Sequence, residues 1–168
     1  MAELTERLQP SLLDRLTDDE PDKNVESREQ RFLSAYRLRD SVKRDLVWLF
    51  NTVHLGAVQD LEGYPEVEQS TLNFGLPDLA GKTKSNIDIE QLARQLRRAI
   101  WAYEPRLIRR SVQVKLIGDP ARIEHNNLAF SIEAELWAQP VPLRLFLRTE
   151  LDLENGEAQV TEVGSAGA

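Results

Sequence analysis

The 168-residue chain contains no cysteine. Disulfides, thiolate metal sites and a cysteine nucleophile are therefore excluded. Histidine is scarce: His54 and His125 stand far apart, without metal-ligand spacing around either. Both are expected in loops or at the surface. No apolar run approaches the ~20 residues that a membrane span needs. Met1-Ala2-Glu3-Leu4-Thr5-Glu6 has neither the basic start nor the apolar stretch of a signal peptide. No glycine-rich phosphate loop and no GxSxG elbow occurs. The expectation is a cytoplasmic chain with no cofactor and no membrane insertion. Acids outnumber bases, 28 to 21, for a net charge of −7. That balance argues against nucleic acid as the main partner.

What is present is ordinary globular material, 41% hydrophobic and 29% charged. The length suits one domain with a core that needs no staple. Charge is uneven along it. Residues 1–30 carry 4 basic and 9 acidic groups, and residues 116–168 carry 3 and 9. Between them, residues 94–115 carry seven basic groups and one acid, Glu104. This basic belt reads either as a surface for an acidic partner or as a solvated face balanced by nearby acids.

Helical spacing dominates the first two thirds. Leu4, Leu8, Leu12, Leu13 and Leu16 predict a short amphipathic helix over 4–16, reset at Pro10. Thr17-Asp18-Asp19-Glu20-Pro21-Asp22-Lys23-Asn24 is an acidic linker. Residues 1–26 are therefore expected as an arm or a capping helix, ahead of one α+β domain over 27–163 and a disordered tail over 164–168. Leu38, Val42, Leu46, Leu49, Phe50 and Val53 form one face of a longer helix, with 27–37 as its extension. Ser70 to Leu79 is apolar but broken by Gly75 and Pro77. It predicts an irregular segment whose Leu72, Phe74, Leu76 and Leu79 pack on the core. Asn86 and Asp88 are both candidate caps, Asp88 with Gln91 three residues on, of a second long helix with the stripe Ile89, Leu92, Leu96, Ile100 and Tyr103, which Pro105 ends.

After residue 110 the period becomes two. Strands are predicted at Val112–Leu116, Leu128–Leu136, Leu143–Leu151 and Glu157–Val163, with Asn155-Gly156 as a two-residue hairpin turn. The fold class is α+β: N-terminal helices packed on a C-terminal antiparallel meander of about four strands.

Two places carry carboxylates worth testing. Glu133 and Glu135 share one face of a strand, and that face is expected to be exposed, which makes poor general acids. Glu104 closes a helix where the macrodipole disfavours an acid. Pro105 fixes the backbone beyond it and Arg106 follows. Glu104-Pro105-Arg106 thus presents an acid and a base from a rigid corner, to pair internally or with a partner chain. Arg106 favours the ionised carboxylate, whereas a general acid must hold its proton.

Three blocks together resemble the baseplate wedge family of contractile injection machines, which includes TssE of type VI secretion and the small wedge protein of contractile-tailed phages. They are Asp40 to Thr52, ending in Asn51-Thr52; Ser70 to Leu79; and Glu104-Pro105-Arg106 followed by Leu107. Leu12-Leu13-Asp14-Arg15-Leu16 is also similar to the start of TssE chains, and the likeness spans roughly 11–163. The arm and acidic linker favour the secretion branch. The resemblance implies a non-enzymatic subunit beside TssF and TssG, and indirectly TssK, in a baseplate docked at the inner membrane. It implies that the subunit starts polymerisation of the TssB–TssC sheath. Glu104, Pro105 and Arg106 fall on the motif implicated in holding the baseplate core. The C-terminal strands would offer an edge to the sheath, with Pro140 and Pro142 blunting the beginning of one strand. Two other readings stand: a muramidase-like enzyme, since the family has been labelled lysozyme-like, and a small regulatory binding module of the same fold.

Overall fold

A computed structural model describes residues 11–17, 35–82, 86–118, 127–138 and 141–164. Among these residues four α-helices precede four strands. α1 is Leu12–Leu16, α2 is Ala35–Phe50, α3 is Pro65–Glu68 and α4 is Ile89–Tyr103. β1 is Gln113–Leu116, β2 is Asn127–Leu136, β3 is Leu143–Asp152 and β4 is Ala158–Glu162. The strands form one antiparallel sheet in the order β1-β2-β3-β4. The α+β meander expected from the alternation is what forms.

The sheet and two helices share one core. Phe130, Ile132 and Leu136 of β2 and Leu145, Leu147 and Leu151 of β3 all point to the same face and are essentially buried. α2 covers that face over β4 and α4 covers it over β1, while the two helices touch each other. Val42, Leu46 and Leu49 of α2 meet Leu92, Leu96 and Ile100 of α4 in this layer. Helical period on one side and strand period on the other give two apolar faces that bury each other.

Local chemistry sets the boundaries. Asp88 accepts the Gln91 N–H at 2.9 Å and starts α4. α2 stops at Phe50, three residues before Val53. Asn51 Nδ2 donates to the Val47 carbonyl, which also accepts the Asn51 N–H, and Thr52 Oγ1 donates to that of Trp48, so that side chains close the last turn. Val53, expected on the helix face, instead forms a parallel bridge to Leu76 and is half exposed. In the Ser70–Leu79 segment, Leu76 and Leu79 are buried as expected, but Leu72 lies in a short 3-10 turn and is 69% exposed.

The turn from β3 to β4 is longer than the two residues that Asn155-Gly156 predicts. Leu151 pairs with Ala158, and four residues, Leu153–Gly156, lie between the bonded pair Asp152 and Glu157. The reason is Leu153, which is fully buried and needs a wider loop to reach the core. Gly156 still takes the left-handed conformation, at φ +77°.

Glu133 and Glu135 are half-buried rather than exposed, because β2 is interior and neighbours flank them on both sides. Pro142 precedes β3, which is interior too, so it blunts no edge; Pro140 lies outside the described residues. The 4–10 part of the helix expected over 4–16, most of the acidic linker, the 27–34 part of the expected extension of α2 and residues 165–168 also lie outside them. His125 does too, while His54 is half-buried in a loop. Among the described residues no helix is long and apolar enough to cross a membrane.

One core position conflicts with its surroundings. Thr149 is fully buried on the inner face of β3, and its hydroxyl has no hydrogen-bond partner among the described residues. An unsatisfied buried hydroxyl costs roughly 1–3 kcal/mol. Thr149→Val is expected to raise stability by about 1 kcal/mol in urea unfolding; a fall would mean that the hydroxyl is satisfied.

Gly75 shows the opposite constraint. Its φ is +128°, and a Cβ there would sit 2.2 Å from the Thr52 carbonyl oxygen. That oxygen already accepts the Leu76 N–H at 2.8 Å. Gly75→Ala is expected to lower the urea midpoint by the equivalent of several kcal/mol. An unchanged midpoint would show that the two backbones need not approach so closely.

Candidate functional site

The corner after α4 follows from its three residues. Pro105 ends the helix, and Glu104 takes the non-helical conformation allowed before proline, at φ −119° and ψ 80°. The Glu104 N–H still donates to Ile100, and the Leu107 N–H donates back to the Glu104 carbonyl at 3.2 Å. The chain therefore turns across Pro105-Arg106. The Trp137 N–H then donates to the Arg106 carbonyl at 2.8 Å, and Leu107 bridges Leu136 at the end of β2. One side of the corner is thus fastened to the sheet.

The side chains fasten the other side to α2. Glu104 is only 3% exposed. One of its oxygens accepts the Arg106 backbone N–H at 3.0 Å and Nε at 2.7 Å, and the other accepts Nη2 at 2.5 Å. This is a two-pronged guanidinium–carboxylate pair that also closes the turn. Arg106 Nη2 reaches Asp45 of α2 at 2.5 Å, and Nη1 donates to Ser41 Oγ at 3.2 Å. Burial by itself works against the Arg106 charge. The hydrogen bonds and charges of Glu104 and Asp45 outweigh it and hold the guanidinium above its ordinary pKa.

The array continues outwards. Asp45 accepts from Arg44 Nε and Nη2 at 3.0 and 2.8 Å, and Arg44 Nη1 donates to Asp14 of α1 at 2.6 Å. The Arg44 guanidinium also lies over Trp48, 5.2 Å from the ring centre. Asp14 exchanges hydrogen bonds with Ser11, which caps α1. Burial tends to raise the Asp14 pKa, but hydrogen bonds from Ser11 and Arg44, with the Arg44 charge, hold it below the usual carboxylate range. Acid and base thus alternate from Glu104 through Arg106, Asp45 and Arg44 to Asp14.

Beside this array opens a cleft of about 510 Å³. Leu46, Leu49, Phe74 and Tyr103 give it apolar walls, Trp48 and Pro105 stand at its rim, and Leu13 of α1 overhangs it. Phe74 and Tyr103 pack edge to face at 5.2 Å. The Tyr103 hydroxyl donates towards the Asn73 and Ser70 carbonyls, pinning the Ser70–Phe74 segment. Asn73 itself ties Gly56 to Glu68. The wall of the cleft is therefore built rather than loose.

Of the three residues expected to meet a partner, Glu104 is inside and paired, Arg106 is largely engaged, and Pro105 is exposed. The charges pair internally. Glu104 is also engaged by three donors of Arg106, which occupy both of its oxygens. Sequence reasoning missed Ser41, Asp45, Arg44 and Asp14 as parts of this site. The only local signal was the helical spacing of Ser41, Arg44 and Asp45 on α2, which does not name the partner; Asp14 lies on α1.

Comparison with known families gives one match. The profile described as baseplate wedge protein gp25 matches residues 36–141. That stretch holds α2, the cleft wall, the corner, β1 and β2, and it leaves out α1, β3 and β4. No curated protein matches the chain.

Arg106→Met strands a buried carboxylate and is expected to destabilise by about 3–5 kcal/mol in urea unfolding. Glu104→Leu combined with Arg106→Met is expected to recover most of that loss. A double variant as unstable as the single would assign the loss to packing instead.

The attachment of α1 is expected to fail in acid. With its folded pKa depressed, Asp14 contributes stability that is full above the unfolded value of ~3.9 and is lost as pH falls through its own lower value. Leu13 and Leu16 methyl resonances should move towards free-peptide positions only below that range. In Asp14→Asn they should sit there at every pH; bound-like resonances in that variant would remove the ion pair as the anchor.

Proposed function

The chain belongs to the baseplate wedge protein gp25 family, and on that premise we propose that it is the type VI secretion member, a subunit that holds the wedge together and starts the contractile sheath. Family membership makes it a structural component of a phage-like baseplate, in contact with other baseplate components. The finer reading places TssF and TssG at the corner, with TssK beyond them, and TssB and TssC at the sheet. The assembly sits on the cytoplasmic side of the inner membrane.

The observation that carries this reading is the cleft beside the locked corner. An apolar pocket of about 510 Å³ with an exposed tryptophan at its rim and a satisfied ion array at its side suits a helix or loop of another protein. Glu104 and Arg106 serve it by holding the wall, while Pro105 and Trp48 make the contact. The sheet supplies the second half. β1 and β4 are its edges, and among the described residues no further strand pairs with either, Asn51 alone occupying the Ala158 backbone groups at the start of β4. Exposed edges accept an added strand. The muramidase reading has no such support, because Glu104 is held by Arg106 and Glu133 and Glu135 lie on the sheet's outer face, away from the cleft.

Co-purification of tagged chain from the native cell tests the reading. Wild type is expected to recover TssF, TssG and sheath subunits. Trp48→Glu, at a half-exposed position, should lose the wedge proteins with an unchanged unfolding midpoint. Glu104→Ala should lose them too, with a lowered midpoint. A folded wild type that recovers none of them overturns the proposal, and peptidoglycan turnover by the purified chain would favour the enzyme.

A further inference from the structure

Seven basic residues lie between 94 and 115, and the structure neutralises two of them. Arg106 is held by Glu104 and Asp45, and Arg94 faces Asp88 and Glu90 at 3.9 and 3.5 Å. Arg97, Arg98, Arg109 and Arg110 have no carboxylate within salt-bridge distance among the described residues. They are not scattered. Arg94, Arg97, Arg98 and Trp101 follow at i, i+3, i+4 and i+7 on α4; Arg94 and Arg98 are exposed, while Arg97 and Trp101 are half-buried and Trp101 packs against the core. Leu92, Leu96, Ala99 and Ile100 hold the buried face.

Trp101 organises the group. Arg97 stacks on it, with the guanidinium carbon 5.0 Å from the ring centre. Its indole N–H donates to the Arg109 carbonyl at 2.9 Å. Arg109 Nε and Nη2 donate back to the Trp101 carbonyl at 3.2 and 2.9 Å. Two of the four free arginines are therefore held in place before any partner arrives, which reduces the ordering that binding requires.

We infer that this arginine face of α4 is a second docking surface, separate from the corner and its cleft, for a compact acidic segment of another protein. Lys115, the fifth without a carboxylate, lies apart on β1 opposite Ser131; the other four are arginines, whose planar fork matches carboxylates two-pronged, as a lysine cannot. The surroundings limit the shape of the anion. Asp88 and Glu90 bound the patch at the start of α4. An extended polyanion or an anionic membrane plane laid across the patch meets these acids, whereas a short acidic helix or loop does not. The charge of −7 over the whole chain adds to that discrimination.

The test uses the full chain and three probes: a fluorescent ten-residue polyglutamate peptide, a single-stranded oligothymidine of matched charge, and vesicles containing anionic lipid. Anisotropy is read at about 50 and 200 mM salt, where the screening length shortens. The peptide is expected to bind, more tightly at low salt, and better than the other two. Arg98→Glu with Arg110→Glu, both exposed, should weaken it at least about tenfold while the unfolding midpoint holds. Charge-conserving lysines at the same two positions should fall between. No peptide binding at low salt, binding untouched by the reversals, or tighter binding of the oligonucleotide or vesicles would overturn the inference. Trp48→Glu should leave peptide binding unchanged, so failure here and failure of the baseplate reading are separable.

Discussion

One guanidinium holds this fold at its most demanding point. Arg106 meets α2 through Asp45 and Ser41, and it meets the end of α4 through Glu104. Its own backbone carbonyl receives the Trp137 N–H. Helix pair and sheet are thus joined at a place where the backbone has just left a helix and has lost its regular bonds. A buried carboxylate alone would be strongly unfavourable there. A buried pair is rarely worth more than well-packed hydrocarbon, but it fixes one geometry where hydrocarbon accepts several. Here the fixed geometry is the wall of a cleft.

That explains why the corner is better understood as scaffold than as contact. The charges that look available in the sequence are spent inside the molecule. What remains for a partner is apolar: the tryptophan at the rim, the proline at the turn, and the hollow between α2 and the Ser70–Phe74 segment. A group of arginines without carboxylate partners among the described residues sits elsewhere, on α4 and the turn after it. Apolar attachment and electrostatic attachment are therefore divided between two surfaces.

Much of the architecture was readable from periodicity. The stripes from Leu38 to Phe50 and from Ile89 to Tyr103, and the alternation from Val112 onwards, each report which face is buried. Asp88 and Pro105 mark the limits of α4 because caps and proline act locally. What failed was non-local. Val53 continues the helical spacing of α2, but Asn51 and Thr52 cap the helix before it. Leu72 is apolar and exposed because Gly75 and Tyr103 shape its segment. Asn155-Gly156 promises a tight turn, but Leu153 needs a place in the core. For the site, Glu104 and Arg106 were visible as neighbours, whereas Asp45 lies 61 residues from Arg106 and Asp14 lies 30 from Arg44. No spacing rule reaches that far.

Asn51 shows what such a distant contact does mechanically. Its side-chain amide gives Nδ2 to the Ala158 carbonyl and takes the Ala158 N–H on Oδ1, both at 2.9 Å. It behaves as one residue of an extra strand at the start of β4, laid across the open edge. A pull along β4 loads these two bonds side by side, so they resist together instead of opening in turn. Tension applied to the edge strand therefore passes into the end of α2, and from there through Asp45 and Arg106 to the corner.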